Sequence, residues 1–154
     1  MLTVEENERL TRVGPGTPMG EMMRRYWQPV LMTREVAERD CDPLRVRILG
    51  EDLILYKDRS GTFGLIEPHC AHRRMNMIYG IPEEHGLRCP YHGWRFGPDG
   101  VCDDIPYHDG PMPRSAKLTS YPVEEGIGGI WMWFDEDGSQ PQYPPPALDP
   151  WHQP

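Results

Sequence analysis

Two cysteine–histidine pairs limit this chain more than any other feature of its sequence. Cys70-Ala71-His72 comes first, and Cys89-Pro90-Tyr91-His92 follows after sixteen intervening residues. A fold that uses these side chains together must bring two separate turns to one place. The flanking residues suit such turns. Pro90 stiffens the chain just after Cys89, and Gly93 is expected to let the backbone pass close to whatever the loops hold. Exposed N–H groups in both turns can donate to the cysteine sulfurs.

Thiolates and imidazoles in this number are metal ligands or core thiols. Tetrahedral zinc sites usually draw one Cys–Cys pair and one His–His pair, with roughly two to five residues inside each. Here each pair mixes the two ligand types, and Cys-x-His is tight for a zinc knuckle. A [2Fe–2S] centre in which one iron takes two cysteines and the other two histidines needs this mixing. Each loop would then give one ligand to each iron. On the residues alone, a zinc-stabilised β module and unmetallated core thiols stay open as alternatives.

Composition narrows the class without deciding it. A length of 154 residues suits one ordinary domain, and 38% hydrophobic with 10% aromatic residues is enough for a core. No apolar run approaches the roughly 20 residues of a membrane span. The charged opening MLTVEENERLTR lacks the apolar stretch of a secretory signal, so a cytoplasmic location is expected. A net charge of −8 argues against nucleic-acid binding. It fits plain solubility, or an acidic face that meets a basic redox partner. In a reducing compartment the four cysteines should stay thiols. Cys41 and Cys102, remote from histidine, are expected to be buried structural thiols.

Along the chain, residues 3–12 read as a helix with capping-box spacing at Thr3 and Glu6 and a thin apolar stripe of Val4, Leu10 and Val13. Gly14-Pro15-Gly16 ends it. Thr17 and Pro18 then start a second helix through GEMMRRYW, and Gln28-Pro29 turns the chain extended. RVRIL, DLILYK, TFGLIE, GWRF, VCDDIP, YPVEEG and IWMWF read as short strands separated by Gly and Pro turns. The tail QPQYPPPALDPWHQP holds six prolines in fifteen residues and reads as an extended linker. The expected architecture is mainly β, a small antiparallel sandwich or barrel with a cluster-binding subdomain. The expected division is a helical lead over 1–40, a cluster-binding β domain over 41–138 and a proline-rich tail over 139–154.

C-A-H-R-R…C-P-Y-H-G-W resembles the Rieske [2Fe–2S] signature, and closely its version in Rieske non-heme iron, ring-hydroxylating oxygenases. ENERLTRVGPGTPMGEMMRRYWQPV is similar to the amino terminus of phthalate-dioxygenase-type oxygenase components, and LGEDLILYKDRSG and GGIWMWF to their Rieske-domain strands. The resemblance implies that Cys70 and Cys89 hold the inner iron, and His72 and His92 the outer one through ring nitrogens. Two ferric ions, two sulfides and two thiolates sum to zero charge, so an added electron favours the iron with neutral ligands. The histidine end is therefore the expected redox-active end and the natural exit.

The resemblance also bears on potential. Respiratory-chain Rieske proteins carry an extra cysteine on each loop, where this chain has Met75 and Tyr91. The hydroxyl donors of that class correspond to Trp94 and Phe96. Fewer hydrogen bonds to sulfur imply the low-potential oxygenase or ferredoxin type. Trp94 is expected as hydrophobic cover over the centre. Arg73 and Arg74 are either a solvated pair, or one of them meets an acidic residue to brace the loop.

Oxygenases of this family add a mononuclear iron, held by two histidines and a carboxylate in a larger catalytic domain. His69, His85, His108 and His152 are scattered and do not form that pattern. The expectation is a chain that transfers one electron at a time and does not oxygenate by itself. The implied donor is a flavin/iron–sulfur reductase or a ferredoxin. The implied acceptor is an oxygenase catalytic domain, in the same or a neighbouring subunit of a trimer. A free-standing Rieske-type ferredoxin is the other reading, although such carriers generally lack the lead and the tail.

Overall fold

Thr3 Oγ1 accepts the Glu6 N–H at 3.1 Å and the Glu6 carboxylate accepts the Thr3 N–H at 2.8 Å. This reciprocal cap starts helix α1, Val4–Thr11. In the computed structural model, which describes residues 1–36, 41–134 and 141–147, α1 buries none of its residues: of the expected stripe Val4 and Leu10 are exposed, while Val13, past the helix end, packs partly against the body. Thr17 caps α2, Pro18–Met23, with Pro18 in the first turn. The second helix stops short of Trp27, where the sequence had suggested it would run. Gln28 Nε2 donates to the carbonyls of Met23 and Tyr26, at 2.8 and 3.2 Å, which closes the helix end and swings the chain into a strand.

That strand, β1 (Gln28–Met32), lies on the edge of a three-stranded antiparallel sheet with order β1-β10-β9, where β9 is Val123–Gly126 and β10 is Gly129–Met132. Pro29 has no N–H to give, and the register of β1 shifts between Pro29 and Leu31. A second sheet is the meander β2 (Leu44–Ile48), β3 (Glu51–Lys57) and β4 (Phe63–Ile66). The β2–β3 and β9–β10 hairpins each turn on two residues of positive φ, Leu49 with Gly50 and Ile127 with Gly128. That pairing matches the twist of the flanking strands. A third sheet runs β5 (Ile81–Glu83), β6 (Gly86–Arg88), β7 (Arg95–Phe96) and β8 (Cys102–Asp104) in order.

Burial shows how the sheets stack. A strand with one wet face would alternate, yet Leu53, Ile54, Leu55 and Tyr56 of β3 are all at most 2% exposed. Leu53 and Leu55 pack with Val46, Ile130, Met132 and Phe134 in one core. Ile54 and Tyr56 pack with Met77, Leu87, Phe96 and the thiols of Cys70, Cys89 and Cys102 in another. The central strand is a wall shared by two cores, each side chain worth roughly 2 kcal/mol of burial.

Arg24, 3% exposed, ties the lead to this body. Its Nη2 meets Glu51 Oε1 at 2.8 Å and the Leu49 carbonyl at 3.1 Å, and its guanidinium lies 4.4 Å over the Phe134 ring. Part of the tail is also fastened rather than loose. The Tyr143 hydroxyl donates to the Arg25 carbonyl, and Trp27 Nε1 donates to the Tyr143 carbonyl, both at 2.9 Å. The Tyr143 ring sits edge-on to Trp133 at 5.3 Å. The remainder of the tail, residues 139–140 and 148–154, lies outside the described residues.

Candidate metal centre

The two Cys–His loops share one backbone frame. In the first, the Cys70 N–H donates to the Met75 carbonyl and the Arg74 N–H returns to the Cys70 carbonyl, both at 2.9 Å. In the second, the Cys89 N–H donates to the Trp94 carbonyl at 2.8 Å and the Gly93 N–H returns to the Cys89 carbonyl at 3.0 Å. The fourth residue after each cysteine has positive φ, +59° at Arg74 and +77° at Gly93. The loops therefore repeat the same turn, with the histidine displaced by one position between them. The second loop joins β6 to β7; the first follows β4 and is closed by the Met77 N–H on the Pro68 carbonyl at 2.8 Å.

Folding sorts the alternating ligand types. Cys70 and Cys89 are 1% and 2% exposed and lie in the same buried core. His72 and His92 are exposed, with ring centroids 4.6 Å apart at 69°. Burial pushes the Cys70 thiol up to about 11, against the opposing effect of the His72 and Arg73 N–H groups that point at its sulfur. A metal would displace that proton. Desolvation, His92 and Arg73 in turn lower the His72 imidazole, which favours the neutral, ligating form. A single ion would need its donors around one point, and among the described residues no three His, Cys, Asp or Glu side chains converge in that way. Two thiols at a buried end and two imidazoles at an exposed end fit a two-iron group.

Aromatic rings pack around the imidazoles. Trp94, on the second loop, stacks flat on His72 of the first, at 4.7 Å and 1°. The expected cover thus lies on a ligand-type ring and joins the two loops. Tyr91 leans on His92 at 3.9 Å. The structure gives a reason of its own for Gly93: an added Cβ would lie 2.7 Å from Pro106 Cγ, and the φ there is left-handed. Arg74 approaches Glu67 at only 3.8 Å and is exposed, a weak brace, while Arg73 is exposed beside His72.

The other cysteines and histidines stand apart from these loops' chemistry. Cys102 is buried, its Sγ donating to the Asp104 carbonyl at 3.6 Å, and burial raises its thiol. Cys41 is only half-buried, at the edge of the core that holds Leu53 and Leu55, because it precedes β2 instead of lying within it. None of the four forms a disulfide. His85 and His108 are exposed, His69 is half-buried, and His152 falls outside the described residues.

Sequence reasoning missed a charged network beneath the second loop. Arg88 grips the Glu83 carboxylate with two bonds, at 2.6 and 2.7 Å, and meets Asp104 at 2.7 Å. Its Nη1 also donates to the Gly93 carbonyl. Arg95 holds Asp103 at 2.8 and 3.1 Å and reaches Glu83 at 3.4 Å. The mixed charges in PEEHGLRCPYHGWRF were the available signal, but their pairing depends on strand order.

The model of the Rieske [2Fe-2S] domain matches residues 26–122. The 5,5'-dehydrodivanillate O-demethylase oxygenase subunit of a Sphingobium species is 43% identical over 98% of this chain. The phthalate 4,5-dioxygenase oxygenase subunit of Pseudomonas putida is 41% identical over 97%. This chain spans 35% of the length of each. Among solved structures, apo dicamba monooxygenase superposes with TM-score 0.68 at 31% identity, covering 80% of this chain and 38% of that one. NdmA of Pseudomonas putida CBB5 gives 0.67 at 32% identity, covering 75% and 36%. The domain match runs from the start of the lead strand to the threshold of β9 and takes in both Cys–His loops. With relatives that are oxygenase subunits, the chain belongs to the Rieske [2Fe–2S] domain family.

Proposed function

We propose that the chain is the electron-transferring Rieske part of an aromatic-ring-type oxygenase component, with Cys70 and Cys89 holding the inner iron and His72 and His92 the outer one. The observation that carries this reading is the sorting of ligands, thiols paired in the core and imidazoles paired at the surface. When bound, the [2Fe–2S] group supplies storage for a single electron. The chain's own residues do the rest. The N–H groups of His72 and Arg73 spread the charge of the Cys70 sulfur, and the core around Ile54, Tyr56 and Phe96 keeps water from both thiols. The imidazoles keep the outer end neutral and within reach of a partner.

In this reading a reductase or ferredoxin donates the electron, and a mononuclear iron in a catalytic domain outside these 154 residues accepts it. The aromatic class of substrate is carried over from the relatives' names. Similarity that includes both lead and tail, over 97–98% of the chain, supports the oxygenase component over a free-standing ferredoxin. Met75 and Tyr91 leave no bridge between the loops, which supports a low potential. The test is direct: purified protein should be red-brown and, once reduced, give a rhombic S = 1/2 EPR signal. A colourless zinc protein would end the proposal.

A further inference from the structure

The charged network under the second loop draws on every strand of the third sheet: Glu83 from β5, Arg88 from β6, Arg95 from β7, and Asp103 and Asp104 from β8. Within it only Arg88 touches the loop. Its fork is used up on three sides, by both Glu83 oxygens, by Asp104 Oδ2 and by the Gly93 carbonyl. A guanidinium held by two carboxylates has little freedom to swing, so the carbonyl it meets is fixed as well. Pro106 occupies the space that a side chain at Gly93 would need. Gly93 directly follows His92 and closes the turn through its N–H on Cys89.

We propose that Arg88 is a positioning residue for the centre: by gripping the Gly93 carbonyl it sets the turn that carries His92, and so the angle at which that imidazole meets its iron. The inference rests on the ligand roles given above. The first loop lacks an equivalent half-buried clamp among the described residues; its charged contact is the Arg74–Glu67 pair at 3.8 Å, with Arg74 exposed. The two imidazoles are therefore oriented by different means, His72 by the Trp94 stack and His92 by a charge-held backbone.

The experiment compares the full chain with R88M, R88K and E83Q/R88M by EPR of the reduced state and by midpoint potential. R88M should shift and broaden the g-values and lower the potential, because the turn loosens, Asp104 loses its partner and Glu83 keeps only the longer contact to Arg95. R88K keeps a donor for the Gly93 carbonyl and should recover much of the EPR envelope. E83Q/R88M removes one charge of each sign. Positioning requires that its g-values stay altered; a return to the parent spectrum would mean that charge alone acts, and would overturn the proposal. So would parent-like g-values in R88M. If R88M takes up no iron, E83Q/D104N decides, since it keeps Arg88 and takes the charge from the two carboxylates that hold it; an unchanged spectrum there would overturn the proposal. A parent protein with no EPR signal would instead sink the Rieske reading itself.

Discussion

An imidazole and a thiolate ligand differ by one unit of charge, which makes His72 and His92 the most informative single residues. Replacing either with cysteine puts a negative ligand on the outer iron and makes the added electron costlier. H72C and H92C should each lower the midpoint potential, on the order of 200 mV if Rieske and plant-type ferredoxin ranges are a guide. Voltammetry of the purified variants measures this directly, and an unchanged midpoint contradicts the ligand roles. Both histidines were legible in the sequence because their partners lie within three residues. The ring on each was not. Tyr91 adjoins His92, yet Trp94 lies against His72 of the other loop, a contact that exists only once the two turns have met.

Turns and hairpins were the most readable elements, and for physical reasons. The β2–β3 and β9–β10 hairpins carry a glycine where positive φ is needed, between runs rich in β-branched and aromatic residues. The β5–β6 pair escaped notice because it has three residues a side and includes Pro82 and Gly86, both poor strand signals. The shared frame of the two loops was hidden for another reason. One positive-φ position is Gly93 and announces itself, whereas the other is Arg74, which pays for that conformation with no sign in its side chain. Substituting Gly93 tests the frame. G93A forces a Cβ into left-handed backbone at about 1 kcal/mol and onto Pro106, for a total destabilisation of about 2 kcal/mol. Chemical denaturation should show that loss together with reduced iron content; a change below roughly 0.5 kcal/mol would mean that the turn relaxes freely.

At the level of the whole molecule, the β character and the strand positions followed from alternation and punctuation, but the long-range fastenings did not. Nothing in the local pattern ties Tyr143 to Arg25 and Trp27, or sets Arg24 between Glu51 and Phe134. These contacts fix lead and tail to the body, and they join stretches of sequence that lie far apart. A proline-rich composition describes what a segment cannot do, and the hydrogen bonds and ring contact of Tyr143 then decide where it lies. The strand β3 was recognisable as DLILYK, but its double burial appears only when a sheet is known to cover each face.

That double burial gives the protein an internal gauge. Ile54 and Tyr56 press on the core that houses the cysteines, while their neighbours Leu53 and Leu55 press on the core beneath the lead. A fault on the far side, such as L55A, must move the same backbone that backs the Cys–His loops. Bleaching of the visible band on heating should therefore coincide with the loss of β-sheet circular dichroism, and L55A should bring both forward together. If the colour outlasted the sheet signal, or L55A shifted only one of them, the two halves would be melting separately. Otherwise a colorimeter reads the health of residues that never come near the metal.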